Sequence, residues 1–207
     1  MAHVLMNPKA WSLLHEHHRV DEAYIITHGS GHLIRGDTVF AVQAGDVLWI
    51  PRHTRHKLIN TSATSLEHLV LAAPPFDSAD VYLDESWGDP KATPQPFVQP
   101  PVDDCFDGAR IIAYELTGVA SIAFGWVMAD PTRHKPAHYN KDITEWICVV
   151  EGGGFIEVDG VSYPIRRGDW IRIDPDEKHA LRNRNDQHMI VVCICTPCFK
   201  MEDVHYK

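Results

Sequence analysis

The 207-residue sequence lacks several features that would place it in other protein classes. No stretch reaches the roughly 18 consecutive apolar residues that a membrane-spanning helix requires. Basic residues are scarce: 19 lysines and arginines stand against 28 aspartates and glutamates, so the net charge is −9 with neutral histidines. A nucleic-acid partner is therefore not expected, because phosphate backbones are bound by basic surfaces. No segment has the periodicity of a long amphipathic helix, which disfavours an α-helical fold.

Cysteines are few, and their number is odd. The five are Cys105, Cys148, Cys193, Cys195 and Cys198. The first residues also lack a basic segment followed by an apolar core, so we expect reduced thiols and a cytoplasmic location. The three cysteines between positions 193 and 198 could indicate a metal or redox site. No second cysteine pair completes a zinc site, however, and packing on a strand is the simpler interpretation.

Histidines, in contrast, are abundant, with 14 in the chain. His15 and His17 are two residues apart, which on a β-strand places both imidazoles on the same face. Glu22 follows and opens an apolar segment, and His56 can supply a fourth ligand from another strand. Three neutral imidazoles and one carboxylate suit a divalent transition metal. The pattern predicts a metal centre at His15, His17, Glu22 and His56.

The chain matches itself when it is displaced by 123 residues, which is the separation of His15 from His138 (138 − 15). The same displacement relates several further pairs. They are Glu22 and Glu145, Gly29 and Gly152, Gly45 and Gly168, His56 and His179, Asn60 and Asn183, and Asp80 and Asp203. Chance rarely aligns glycines, histidines and acids in one register over so long a stretch. The repeat predicts two copies of one domain.

Each copy consists of short apolar or β-branched segments separated by turn residues. In the first copy the predicted strands cover 23–28, 32–35, 38–42, 47–50, 57–59 and 66–71. In the second they cover 146–150, 155–158, 161–165, 170–173, 180–182 and 189–194, with leading strands over 110–116 and 121–128. The first copy has only 2–6 before its histidines, so it could borrow a strand from the second half or from another subunit. Short strands at this spacing predict a barrel or a sandwich.

Both halves resemble the cupin superfamily, and the whole chain resembles a bicupin. The first cupin motif is matched by His15, His17, Glu22 and Gly29, although its leading glycine is missing, and the second motif is matched by Gly45, Pro51, His56 and Asn60. The resemblance implies an all-β fold of two tandem jelly-roll barrels, with a metal held by the four predicted ligands. It implies an N-terminal cupin domain over 1–83, a proline-rich linker over 84–109 and a C-terminal cupin domain over 110–207.

The second copy departs from the cupin pattern. His138, Glu145 and His179 are retained, but Asn140 stands where the second histidine belongs. An amide oxygen is a weaker ligand than imidazole for a borderline metal. We therefore expect this candidate second site to bind a metal less tightly than the first, or not at all. His134, four residues before His138, could compensate.

Some polar residues near the motifs have simpler expected roles. His18 alternates with His17 and should face solvent, and a loop position or simple exposure is expected for His53. Asn60 and Asn183 each follow a motif histidine by four residues, and we expect them to tie turns through side-chain hydrogen bonds.

A metal with these ligands keeps about two coordination positions open. We expect a metal-dependent enzyme for a small oxygenated organic molecule, a dioxygenase if the ion is Fe²⁺, which is our first choice. Mn²⁺, Ni²⁺, Zn²⁺ or Co²⁺ would favour Lewis-acid chemistry, in a lyase or isomerase for a sugar acid or keto acid. A non-catalytic small-ligand-binding protein is the alternative from another class. No catalytic base is identifiable beyond His53 as a candidate, and we expect a monomeric pseudo-dimer or a homodimer.

Overall fold

The computed structural model describes residues 1–83, 86, 88–101, 103–105, 109–116, 120–129, 136–183 and 185–206, of which 103–105, 109–111 and 115–116 are described by backbone alone. The chain forms two compact units, Met1–Gln99 and Pro100–Lys207. The regular secondary structure of both units is β-strand apart from two short 3₁₀ turns among the described residues, so the predicted all-β fold class is confirmed. In the described part of the chain no helix is long and apolar enough to cross a membrane.

The first unit contains two four-stranded sheets. Its strands are β1 (Ala2–Met6), β2 (Asp21–His28), β3 (Ser30–Arg35), β4 (Thr38–Gln43), β5 (Val47–Ile50), β6 (His56–Ile59), β7 (Leu66–Ala73) and β8 (Gln95–Pro96). One sheet has the order β1-β7-β2-β5 and the other β6-β3-β4-β8. Alternating side chains of both sheets, such as Ile26, Leu33 and Leu48, face each other and form one buried core.

Turns in the first unit fall where the glycines predict them, with one difference. A turn was expected over 29–31, but β3 already begins at Ser30, and Gly29 makes the connection alone with a φ of +79°. A Cβ atom at Gly29 would lie 2.5 Å from the backbone oxygen of Ser65. Only glycine combines this backbone angle with this close approach.

The first copy gains a strand from neither of the expected sources, the second half or another subunit, but from the proline-rich linker, which is called the connector below. Gln95 and Pro96 pair in parallel with β4, at Phe40 and Ala41. The side chain of Gln99 then donates a hydrogen bond to Asp46. The connector is thus in part a piece of the first unit, and the division between the two units falls after Gln99.

The second unit repeats the arrangement with additional strands. They are β9 (Asp103–Cys105), β10 (Ala109–Leu116), β11 (Ala120–Val127), β12 (Tyr139–Asn140), β13 (Thr144–Glu151), β14 (Gly153–Val158), β15 (Val161–Arg166), β16 (Trp170–Ile173), β17 (His179–Arg182), β18 (Met189–Thr196) and β19 (Val204–His205). The order β11-β18-β13-β16 corresponds to β1-β7-β2-β5, and β10 and β9 extend that sheet. The core includes Ile147, Val149 and Val191.

Two expectations about individual side chains can be compared directly. Asn60 is fully buried and donates to the backbone oxygens of Met6, Asn7 and Thr64, so its predicted turn-tying role is confirmed. Of the three cysteines for which packing is expected, Cys195 is buried, whereas Cys193 and Cys198 are half-buried, and Cys148 is buried as well. Burial raises the pKa of the Cys148 thiol to about 12.

Candidate metal centre

The segment that carries the first two histidines is extended but is not a regular strand. His15 pairs with His56 through an isolated bridge, with N–O distances of 3.2 and 2.8 Å, and Glu16 pairs in the same way with Tyr82. The prediction of a strand over His15–His17 is therefore wrong in detail, because the ladder does not continue beyond these single pairs. The bridges still preserve the alternation that places both imidazoles on one side.

All four predicted ligands come together inside the first unit. One ligand atom from each of His15, His17, Glu22 and His56 lies within 4.8 Å of the others. Three of these residues are almost fully enclosed, since the exposed fractions of His17, Glu22 and His56 are 2%, 4% and 0%. Side chains of this polarity are buried at a free-energy cost unless they bind one another or a cation.

The three imidazoles share one orientation. Nδ1 of His15, His17 and His56 lies 2.9 Å from the backbone oxygen of Leu13, Asp80 and Thr54, respectively. A carbonyl oxygen only accepts, so each Nδ1 atom carries the hydrogen, and each Nε2 atom of a neutral ring keeps a lone pair. Backbone carbonyls that hold histidines in this way are typical of metal ligands.

The contact between His56 and Glu22 requires a proton or a metal cation between the two groups. Nε2 of His56 lies 3.1 Å from Oε2 of Glu22, and both atoms are acceptors when the ring is neutral. A second proton on the ring or a metal cation between the two groups would remove this repulsion. Nε2 of His17 lies 3.6 Å from Oε1 of Glu22 and has no hydrogen-bond partner among the described residues. The donor set therefore fits a divalent cation.

Electrostatics keep the site in the form that a metal requires. Burial, assisted by the nearby His56, lowers the pKa of His15 to about 4, so this imidazole is neutral at pH 7. Burial opposes ionisation of Glu22, but the contact with His56 and the neighbouring imidazoles hold the pKa of this carboxyl below its usual value. The first unit therefore presents a carboxylate and a neutral His15 to an incoming ion.

Asp80 lies in a 3₁₀ turn (Ser78–Asp80) that follows β7. Its side chain holds the backbone directly after His17. Its carboxylate accepts hydrogen bonds from the backbone N–H groups of His18, Arg19 and Val20, at 3.3, 3.0 and 3.1 Å. Burial would raise the pKa of Asp80, but these donors and the Arg19 side chain lower it to about 2. The internal repeat aligns Asp80 with Asp203, and neither is among the predicted site residues. Asp203 accepts from the N–H of Asp142, which is the corresponding bond in the second unit.

A cavity of about 660 Å³ adjoins the candidate metal centre on one side. His15 and Glu22 reach it, and its wall is mostly apolar, with Met6, Leu58 and Val70 among the lining residues. Two polar residues of this wall, Tyr24 and His68, are not among the predicted site residues. His68 is 4% exposed, and its Nδ1 atom has no hydrogen-bond partner among the described residues. Its signal in the sequence is a polar residue at an inward position of the apolar strand β7.

The second unit brings together three of its four predicted residues. His138, Glu145 and His179 offer ligand atoms within 4.8 Å of one another, and Nε2 of His179 lies 3.2 Å from Oε2 of Glu145. Asn140 is buried beside them, and its Nδ2 atom faces Oε2 of Glu145 at 3.5 Å. Where the first unit offers an imidazole lone pair, the second thus presents an amide N–H to the carboxylate. His134 lies outside the described residues.

Two further histidines near the first site differ in exposure. His53 is exposed, as expected. His18, expected to face solvent, is instead half-buried, because its ring stacks on Tyr82 with centroids 3.7 Å apart. Both side chains lie on the outer side of the histidine segment, away from the four ligands.

Comparison with known proteins identifies the same repeat. A family model described as the cupin domain matches residues 2–72 and again residues 125–195. An L-ectoine synthase of Aliivibrio fischeri is 26% identical over 115 residues, which are half of this chain and 88% of that protein. An uncharacterized protein of Methanocaldococcus jannaschii is 33% identical over 72 residues, 35% of this chain, and the match spans only 58% of that protein.

Solved structures share the fold of the whole chain. A variant of the oxalate decarboxylase of Bacillus subtilis superposes with a TM-score of 0.70 at 16% identity, covering 96% of this chain and 69% of that one. The oxalate decarboxylase of Lactobacillus farciminis, in a formate complex, gives a TM-score of 0.68 at 16% identity, covering 93% and 75%. At this identity the similarity shows the fold alone. With the twofold family match, it confirms the prediction of two tandem barrels.

Proposed function

The chain belongs to the cupin family, and we propose that it is a metal-dependent enzyme whose active centre lies in the first unit. The ion would be held by His15, His17, Glu22 and His56. The substrate would be a small oxygenated organic molecule bound in the adjoining cavity.

The facing acceptors of His56 and Glu22 carry this proposal. Three imidazoles and one carboxyl group converge in an enclosed space, and a backbone carbonyl at Nδ1 of each ring leaves Nε2 free to face inward. A bound metal would supply open coordination positions for Lewis-acid or oxygen chemistry. Fe²⁺ is our first choice, with Mn²⁺, Ni²⁺, Zn²⁺ or Co²⁺ as alternatives.

The cavity wall indicates what kind of molecule could enter. Its mostly apolar lining favours a substrate with an apolar body. His68 offers a ring nitrogen without a partner, and its burial lowers its pKa to about 4, so it is neutral at pH 7. Burial raises the pKa of Tyr24, which keeps its hydroxyl protonated as a donor. Tyr24 and His68 would bind a polar group of the substrate, such as a hydroxyl, that lies away from the substrate atoms that contact the metal.

Two reaction types remain as candidates. A dioxygenase acting through Fe²⁺ is the first. A lyase is the second, favoured by the fold that the chain shares with oxalate decarboxylases, since decarboxylation cleaves a carbon–carbon bond. One of these solved structures is described by its Mn(II) centres. The second unit, with Asn140 in place of a histidine, would serve mainly as a scaffold.

Metal analysis and reaction screening test the proposal together. The protein is purified without a chelator or metal-affinity tag, dialysed, and its metal content is measured by mass spectrometry. We expect about one tightly bound ion per chain, lost in His56→Ala and retained in His179→Ala. Oxygen uptake in a panel of catechols and enols would support the dioxygenase, and carbon dioxide release from keto or dicarboxylic acids the lyase. Equal metal loss in both variants, or no metal, would overturn the proposal.

A further inference from the structure

A second group of metal-binding side chains lies on the outer side of the histidine segment. Glu16 and His18 alternate with His15 and His17 along the chain and so face away from the barrel interior. His53 joins them from the loop between β5 and β6. One ligand atom from each of the three lies within 4.8 Å of the others. We propose that Glu16, His18 and His53 form a surface site for a divalent transition metal ion of the zinc type, separate from the barrel centre.

The distances require only a small closure around an ion. Nε2 of His18 already lies 2.9 Å from Oε1 of Glu16, and the rings of His18 and His53 have centroids 4.8 Å apart. Ligand atoms around a tetrahedral zinc ion are about 3.3 Å apart, given metal–ligand distances near 2.0–2.1 Å. His53 is exposed, so its side chain can rotate toward the other two without displacing core residues.

Two features position the ring of His18 and the backbone of His53 before any ion binds. The ring of His18 is stacked on Tyr82 at an interplanar angle of 11°. His53 has a φ of +60°, a left-handed conformation that residues other than glycine rarely adopt, and its N–H donates to the backbone oxygen of His17 at 2.6 Å. A non-glycine residue in this conformation is strained, and such strain is often found at functional sites.

The donor set selects the class of ion. Two imidazoles and one carboxylate, with water as a fourth ligand, suit Zn²⁺, Ni²⁺ or Cu²⁺ and disfavour Ca²⁺ and Mg²⁺, which prefer oxygen ligands. The neighbouring cation does not oppose binding, since the Arg52 guanidinium is paired with the carboxylate of Asp21 at 2.8 Å. Because the site is open to solvent, we expect a weaker, exchangeable ion.

An ion bound at Glu16, His18 and His53 would affect the chain segments that carry the barrel ligands. Glu16 lies between two barrel ligands, and His53 precedes the third, His56, by three residues. A surface ion would therefore tie together the two segments that deliver the barrel histidines. We expect zinc to raise the thermal stability of the protein and to slow the loss of the barrel metal to a chelator.

The test uses the tag-free full chain and zinc alone as the probe. Titration calorimetry should detect one ion of micromolar affinity in addition to the tightly bound one. His18→Phe keeps the stack on Tyr82, and His53→Gly suits the left-handed backbone, so both variants remove ligands while preserving the local fold. Each should weaken the surface ion by about tenfold or more, the range seen when metal sites are disturbed. His28→Ala, an exposed histidine elsewhere, should change nothing.

A second titration separates this site from the barrel. In His56→Ala, in which the barrel centre is broken, the surface ion should still bind with the same affinity. This result would support the surface site whether or not the proposed function is correct. Unchanged zinc binding in both His18→Phe and His53→Gly, or loss of the ion in His56→Ala, would overturn the proposal.

Discussion

The backbone oxygen of Asp80 accepts a hydrogen bond of 2.9 Å from Nδ1 of His17. The two residues are 63 positions apart in the chain, yet this bond sets which ring nitrogen of His17 faces Glu22. The carboxylate of Asp80 binds the three N–H groups that follow His17. One residue thus fixes both the ring orientation and the backbone path of a proposed ligand.

Removal of this carboxylate should weaken metal binding. In Asp80→Ala the backbone N–H groups of His18, Arg19 and Val20 lose their acceptor, so the backbone that follows His17 is no longer held in one position. We expect a 10- to 100-fold lower metal affinity, about the effect of losing an outer-sphere partner, and a lower melting temperature. Competition with a chromophoric chelator measures the affinity. Asp77→Ala, an exposed acid in the same turn, is the control, and an equal loss there would argue against a specific role.

The asymmetry between the two units can be reversed by one substitution. Asn140 occupies the position that His17 holds in the first unit, beside two histidines and a glutamate that are already in place. Asn140→His should raise the content of tightly bound metal from about one to about two ions per chain. His17→Asn, the reverse change, should lower it to about zero. The metal content of the dialysed proteins tests both changes. An unchanged metal content in Asn140→His would mean that other residues prevent metal binding in the second unit.

His68 should contribute to activity at the expense of stability. Its buried Nδ1 atom has no partner in the described part of the chain, and such an atom costs about 1–3 kcal/mol. His68→Leu should therefore raise the free energy of unfolding by about 1 kcal/mol at pH 7, measured by urea denaturation. Its metal content should be retained while turnover falls, because the substrate loses a hydrogen-bonding partner. A His68→Leu enzyme with full turnover would exclude His68 from substrate binding.

The same residue predicts how stability varies with pH. Burial lowers the pKa of folded His68 from 6.5 to about 4, so below pH 6.5 the unfolded chain takes up a proton that the folded chain does not. Above pH 6.5 both states are neutral at this residue, and the full stability is present. As the pH falls toward 4, preferential protonation of the unfolded chain lowers the free energy of unfolding by at most about 3 kcal/mol. The advantage of His68→Leu over the wild type should therefore grow between pH 7 and pH 4.5. Metal-free protein is compared at both values, and a constant difference would contradict the assignment.

Local sequence patterns could predict the four proposed ligands, since the spacing of the histidines and Glu22 lies within a motif that the chain repeats. The same patterns placed the strands within a few residues. They could not predict Asp80, because its bonds join residues some sixty positions apart. They also missed the stacking of His18 on Tyr82, which depends on a single bridge between distant segments. His68 stands out in the sequence only as a polar residue in an apolar strand. Its place in the cavity wall depends on how the strands pack, which the sequence pattern does not give.

The pairing of Gln95 and Pro96 with β4 bears on how the first half of the chain can be studied in isolation. A fragment ended at residue 83, where the sequence alone would place a domain boundary, would leave one side of β4 without its neighbour and Asp46 without the Gln99 amide. Uncovered strand edges recruit other chains, and such a fragment would be prone to aggregate. A fragment that continues to Gln99 would keep β8 paired with β4 and the Gln99 amide bound to Asp46, so this strand edge would stay covered.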